Sequence, residues 1–186
     1  MTMAFAGAGL VLLQVPKTGT TSLEDAWSPR ADLTISADLA ARHMYADEFE
    51  LAHAAIMAPG FSYVAVVREP VDWLVSWWRW RTDDPVFPSN DLSFADWFAG
   101  LFDLDGRLQL VRDLGRYEIS TRPTVWWRYE NIDAMTEWLA SAIGVDAPQL
   151  QVLNASNDRN PMLTDDLRAR IEAAFPFNAA TYETAR

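Results

Sequence analysis

The chain contains no cysteine, and that single absence removes disulfides, zinc–thiolate sites, iron–sulfur clusters and thiol nucleophiles. Histidine is nearly missing too. His43 and His53 are the only two, which argues against a histidine-rich metal site. No apolar stretch reaches the length of a membrane span. Positive charge is scarce: the net charge of −11 leaves no basic stripe for nucleic acid and disfavours anionic lipid. The most pointed scarcity is lysine. Fourteen arginines accompany one lysine, Lys17. Where arginine fills nearly every basic role, the remaining lysine marks a place suited to a compact ammonium rather than a planar fork.

What is present reads as one domain of 186 residues with a sizeable core, half of its residues being hydrophobic. There is no low-complexity tract and no fixed-period repeat. The apolar run Met3 to Val15 is similar in hydropathy to a signal peptide. It lacks a basic n-region, and cleavage would remove the strand that feeds Lys17. A soluble, cytoplasmic protein is therefore expected.

Strand and helix signals alternate. Leu10–Val15 reads as a first strand, followed by a helix from Thr20 that ends before Pro29. A weak strand is expected at Leu33–Ile35 and a helix over Asp47–Met57. The β-branched run from Phe61 to Val67 suits a strand buried on both faces, and Pro70 opens a helix through Trp80. Thr82–Asp91 is a loop, Ser93 caps a helix, and Leu108–Leu114 is ambiguous. Pro123–Tyr129 reads as a third main strand. Asn131 caps a helix that Gly144 closes, and Leu167, Ile171 and Phe175 define a last amphipathic helix. The pattern predicts an α/β fold: a P-loop-type α/β/α sandwich around a mostly parallel sheet, with ligands beyond the carboxyl ends of its strands.

Two segments occupy such strand ends. Val15-Pro16-Lys17-Thr18-Gly19-Thr20-Thr21-Ser22 joins a strand to a helix start. Free N–H groups, the helix dipole, a glycine and four hydroxyls suit a phosphate or sulfate there. It is not a Walker A loop, because Lys17 precedes Gly19 instead of following the second glycine. The second segment, Arg68-Glu69-Pro70-Val71-Asp72-Trp73-Leu74-Val75-Ser76, puts Arg68 directly after a buried strand and Ser76 two turns into the next helix. Taken alone, Arg68 could equally be a snorkelling edge residue, and Ser76 a packed core serine. If the two strands are neighbours, Lys17 and Arg68 face one crevice.

Together the segments resemble the sulfotransferase superfamily that uses 3′-phosphoadenosine-5′-phosphosulfate (PAPS). The Pro16–Ser22 stretch is similar to its P-K-[TS]-G-[GST]-[ST]-[ST] loop, and Arg68–Ser76 to R-x-P-x-x-R-x-x-S, departing at Trp73 where the family often has arginine. Trp127-Arg128-Tyr129-Glu130-Asn131-Ile132 and Leu153-Asn154-Ala155-Ser156-Asn157 resemble its later segments, most nearly in the carbohydrate-type and bacterial branch. The resemblance implies that Lys17, Thr18, Gly19, Thr20, Thr21 and Ser22 hold the phosphosulfate and that Arg68 and Ser76 hold the 3′-phosphate. It implies that Lys17 assists departure of the leaving phosphate, and that no metal takes part. His43 lies where related enzymes carry a base, and an ordinary imidazole suits that work near neutrality. A histidine bonded to local backbone is the equal alternative, and Glu24, Asp47 and Glu48 are fallback bases. His53 reads as structural. Among nine tryptophans, Trp73 and Trp77 are expected in the core, with Trp78 and Trp80 open. The expected activity is sulfuryl transfer from PAPS to a hydroxyl of a carbohydrate or small metabolite. The rivals are a nucleotide-dependent phosphotransferase and a non-catalytic nucleotide-binding module.

Overall fold

A computed structural model of the chain describes residues 2–35, 43–53, 60–83, 91–102, 124–153, 155 and 158–186. Five strands form one sheet: β1 (Thr2–Phe5), β2 (Leu10–Leu13), β3 (Leu33–Ile35), β4 (Ser62–Val67) and β5 (Thr124–Arg128), in the order β3-β1-β2-β4-β5. The half made of β2, β4 and β5 is parallel, with Leu13 opposite Ala65 and Val67 opposite Arg128. β1 pairs antiparallel with both β2 and β3. The expected strand from Leu10 is β2, and the apolar residues before it form a further strand, β1, that the sequence reading did not assign. Gly9, at φ 63°, closes a 3-10 turn over Ala6–Ala8 and folds β1 back on β2.

Side chains alternate across the sheet, so each face has its own core. Val11, Leu13, Tyr63, Ala65 and Val67 meet the helices α2 (Ala46–His53), α3 (Pro70–Asp83), α4 (Phe94–Ala99), α6 (Asp165–Ala174) and α7 (Pro176–Thr184). Leu10, Leu12, Val64 and Val66 meet α1 (Thr20–Trp27) and α5 (Ile132–Ile143). The expected α/β class is what the chain adopts, with helices on both faces.

Local chemistry sets most helix ends. Pro70 opens α3, and the Glu69 carboxylate accepts from the Asp72 N–H at 2.8 Å. Ser93 caps α4 by accepting from Asp96 N, and Gly144 closes α5 in the left-handed region at φ 74°. Asn131 does not cap α5 as the sequence suggests. It ends a 3-10 turn over Tyr129–Asn131 that leads into the helix, and its side chain makes no capping bond. α3 runs three residues past Trp80, to Asp83. The expected last helix is α6, which ends where Phe175 leaves helical geometry, and Pro176 then starts a further helix, α7, that the sequence reading did not assign.

The outer edge of β5 is covered. The Arg186 N–H donates to the Trp126 carbonyl at 3.0 Å, and the Arg186 carbonyl accepts from Arg128 N at 2.8 Å. The Arg128 side chain donates to the Tyr182 and Glu183 carbonyls. Residues 54–59, 84–90 and 103–123 lie outside the described residues, and with them the expected helix beyond His53, most of the Thr82–Asp91 loop and the Leu108–Leu114 segment. Asn154, Ser156 and Asn157 lie outside them as well.

Candidate anion-binding site at the strand ends

Three parallel strands end side by side, and each hands over a different residue. β2 leads to Lys17, β4 to Arg68 and β5 to Tyr129. The loop after β2 is held from both sides. The Thr18 hydroxyl, in a residue only 1% exposed, donates to the Val15 carbonyl at 2.8 Å. The Trp73 indole N–H, from α3, donates to the Pro16 carbonyl at 2.9 Å. Between these anchors Lys17 adopts φ 66°, and it is the only non-glycine residue at positive φ among those described. Such a conformation costs an L-residue about 1–2 kcal/mol. Gly19 follows at φ 78° and begins α1 as its N-cap, where a Cβ would lie 3.1 Å from both Ile132 Cδ1 and Tyr129 Cε2. Glycine is favoured there by its positive φ and by the close side chains of Ile132 and Tyr129.

The Lys17 ammonium sits among aromatic faces, 5.9 Å from the Trp77 centroid and 5.5 Å from that of Trp80. Burial pushes its pKa down to about 8, the Arg68 charge adds to that, and Asp83 pulls the other way. The Arg68 guanidinium lies 4.9 Å from the centre of the Tyr129 ring. Lys17 and Arg68 thus follow neighbouring parallel strands, and the charge of Arg68 acts on Lys17.

The remaining sequence-derived residues divide. Gly19, Thr20, Thr21 and Ser22 form the turn and first turn of α1, with Thr21 exposed and Thr20 and Ser22 half-buried. Ser22 Oγ accepts from Leu153 N at 3.3 Å, which brings the late loop onto this helix start. The Thr18 hydroxyl points inward, so only its N–H remains for a ligand. Ser76 is buried on α3. His43 is half-buried and its Nδ1 lies 2.8 Å from the Gln14 carbonyl. A carbonyl only accepts, so Nδ1 carries the proton and Nε2 of the neutral ring is the basic nitrogen. That bond ties the imidazole to the end of β2, three residues before Lys17. Glu24 is half-buried on α1, and Asp47 and Glu48 are exposed at the start of α2. Glu48 accepts from Tyr45 N at 3.0 Å, a local capping bond.

Trp73 and Trp77 are core residues as expected; Trp78 joins them, and Trp80 is 43% exposed. Sequence reasoning did not single out Tyr129 as a wall of the site, nor Asp83 as a neighbour of Lys17. The position of Tyr129 directly after an apolar strand, like that of Arg68, was the available signal. Among the described residues no cluster of histidine and carboxylate side chains could hold a metal ion, and no helix is long and apolar enough to cross a membrane.

No protein-family profile matches the chain, and no curated protein matches it. Among solved structures, it is similar to a crystal structure of mouse sulfotransferase SULT7A1 complexed with PAP. That similarity has a TM-score of 0.45 and 15% sequence identity, and it covers 98% of this chain and 71% of the other.

Proposed function

We propose that the protein transfers a sulfuryl group from PAPS to a hydroxyl of a carbohydrate or small metabolite, in the cytoplasm and without a metal. The observation that carries this reading is the pairing of Lys17 and Arg68 at adjacent parallel strand ends, with their charges coupled. Two cations on separate segments suit a ligand with two separated anionic groups. A donor bearing a 5′-phosphosulfate and a 3′-phosphate meets that requirement.

In the reaction, a new sulfur–oxygen bond forms to the acceptor hydroxyl while the bond from sulfur to the 5′-phosphate oxygen breaks. The product is 3′,5′-adenosine bisphosphate (PAP). Lys17 and the N–H groups of Gly19–Thr21 stabilise the charge that gathers on the departing phosphate. Arg68, after β4, and Ser76, on α3, hold the 3′-phosphate. His43 takes the acceptor proton on Nε2, with Nδ1 fixed by Gln14. The acidic chain, at −11, suits a small acceptor over a nucleic acid or an anionic membrane.

Calorimetry and thermal melting with PAP test this. At a hundred times its dissociation constant PAP should stabilise the fold by roughly 2.7 kcal/mol, a rise in Tm of roughly 5–10 °C for a chain of this size. AMP and ATP should do much less. Equal effects of AMP and PAP, or a requirement for Mg²⁺, would sink the assignment. PAP binding with no turnover across an acceptor panel would leave a nucleotide-binding module.

A further inference from the structure

Trp73 stands where the resembling motif often has arginine, and it is buried in the core. The ring is 1% exposed and packs edge-on against Trp77 and Phe175. Its N–H crosses from α3 to the loop after β2 and meets the Pro16 carbonyl at 2.9 Å, in buried surroundings. The peptide whose carbonyl it holds is the one that leads into Lys17, the residue at φ 66°. A left-handed lysine needs the surrounding structure to impose it. On one side Thr18 returns to Val15; on the other only the indole reaches the Pro16 carbonyl among the bonds described for it.

We propose that Trp73 is a positioning residue for Lys17: by holding the Pro16 carbonyl it keeps Lys17 in the left-handed turn from which the ammonium enters the crevice. The same helix supplies Trp77 and Trp80, the two rings beside that ammonium, so α3 fixes both the root of the lysine and the walls around its tip. The functional part of this inference rests on the loop being the PAPS site. Its backbone part does not.

Two measurements test it, both on the full chain. The first compares Lys17→Gly with Lys17→Ala. Neither carries an ammonium, so their difference reports backbone conformation. With Trp73 present, Lys17→Gly should melt about 2–4 °C above Lys17→Ala, because glycine adopts positive φ freely. With Trp73→Phe, which keeps a ring but loses the N–H, the loop relaxes and that advantage should vanish or reverse. The second measurement is PAP affinity against pH. Among the described residues the charges that act on the ammonium are those of Arg68 and Asp83, and neither is altered by Trp73→Phe. In the wild type, affinity should fall with a midpoint near 8, where Lys17 loses its proton. In Trp73→Phe the midpoint should move up toward the ordinary lysine range as the ammonium gains water, and affinity at pH 7 should drop about tenfold. An unchanged glycine advantage in Trp73→Phe, or an unmoved pH midpoint, would overturn the proposal and leave Trp73 a core residue. Failure of the wild type to bind PAP would instead refute the donor site, with the glycine–alanine comparison still deciding the backbone claim.

Discussion

The Tyr129 ring lies against both candidate segments: its edge is 3.1 Å from where a Cβ on Gly19 would stand, and the Arg68 guanidinium lies 4.9 Å from its centre. A residue from the third strand thereby links the ends of the other two. Gly19→Ala should cost about 1–2 kcal/mol from its positive φ alone, to which the tight approach to Tyr129 and Ile132 adds whatever those side chains cannot yield. Thermal melts of Gly19→Ala with and without Tyr129→Ala separate the parts. The clash term should shrink in the double variant while the conformational cost stays.

Arg68 should act on the 3′-phosphate. Arg68→Ala is expected to weaken PAP far more than adenosine 5′-phosphosulfate, which lacks that group. Arg68→Lys should recover only part of the loss, because an ammonium does not stack on the Tyr129 ring as a guanidinium does. Calorimetry with both ligands decides it. Losses of equal size for the two would assign Arg68 another phosphate or a structural role.

Lys17 gives two opposite pH dependences. In the folded chain its pKa is about 8, against 10.5 for an unperturbed lysine. Between those values the unfolded chain binds more protons, so this group's contribution to stability rises with pH across that window and is lost again as pH falls toward 8. A bound anion favours the ammonium, so PAP affinity should fall over the same window. Lys17→Arg stays charged throughout and should show neither effect. It should bind PAP with modest loss at pH 7 while kcat drops by a factor on the order of 10²–10³. Melting and calorimetry from pH 7 upward, always as wild type against Lys17→Arg, cancel other groups that titrate there, including Tyr182, whose hydroxyl is pushed up mainly by burial.

His43→Ala should leave PAP affinity close to that of the wild type and reduce turnover by about 10²–10⁴. Its acidic limb in the pH–rate profile should flatten, because no imidazole is left to protonate. The variant also loses the bond to the Gln14 carbonyl, so a melt of His43→Ala beside the turnover assay separates loss of the base from loss of structure. A fully active His43→Ala would pass the role of base to Glu24, Asp47 or Glu48.

Much of this architecture was legible in the chain. Pro70 starts a helix because its missing N–H is an orphan there, and Gly144 ends one because it accepts positive φ. The apolar run before Arg68 is a central strand, and its parallel pairing with β2 aligns the two cations. What stayed hidden has physical causes. Hydropathy alone cannot divide the run from Met3 to Leu13, since both strands are buried; Gly9 was the one local signal. α7 lacks an apolar stripe because Asn178 and Thr181 are its inward residues. The bond from Trp73 to Pro16 joins residues 57 apart in sequence, a distance that no local pattern encodes.

The backbone bonds of Arg186 to Trp126 and Arg128 also bear on how the molecule keeps to itself. A parallel strand at the end of a sheet offers a row of free amides and carbonyls to any passing chain, and this one carries Val125, Trp126 and Trp127. The Arg186 guanidinium, 5.7 Å from the Trp127 ring, adds charge at that border. Arg186 therefore occupies part of an edge at which another strand could add. Trimming Ala185 and Arg186 would leave the crevice intact and yet give the sheet an adhesive rim, visible as light scattering at concentrations where the intact chain stays clear.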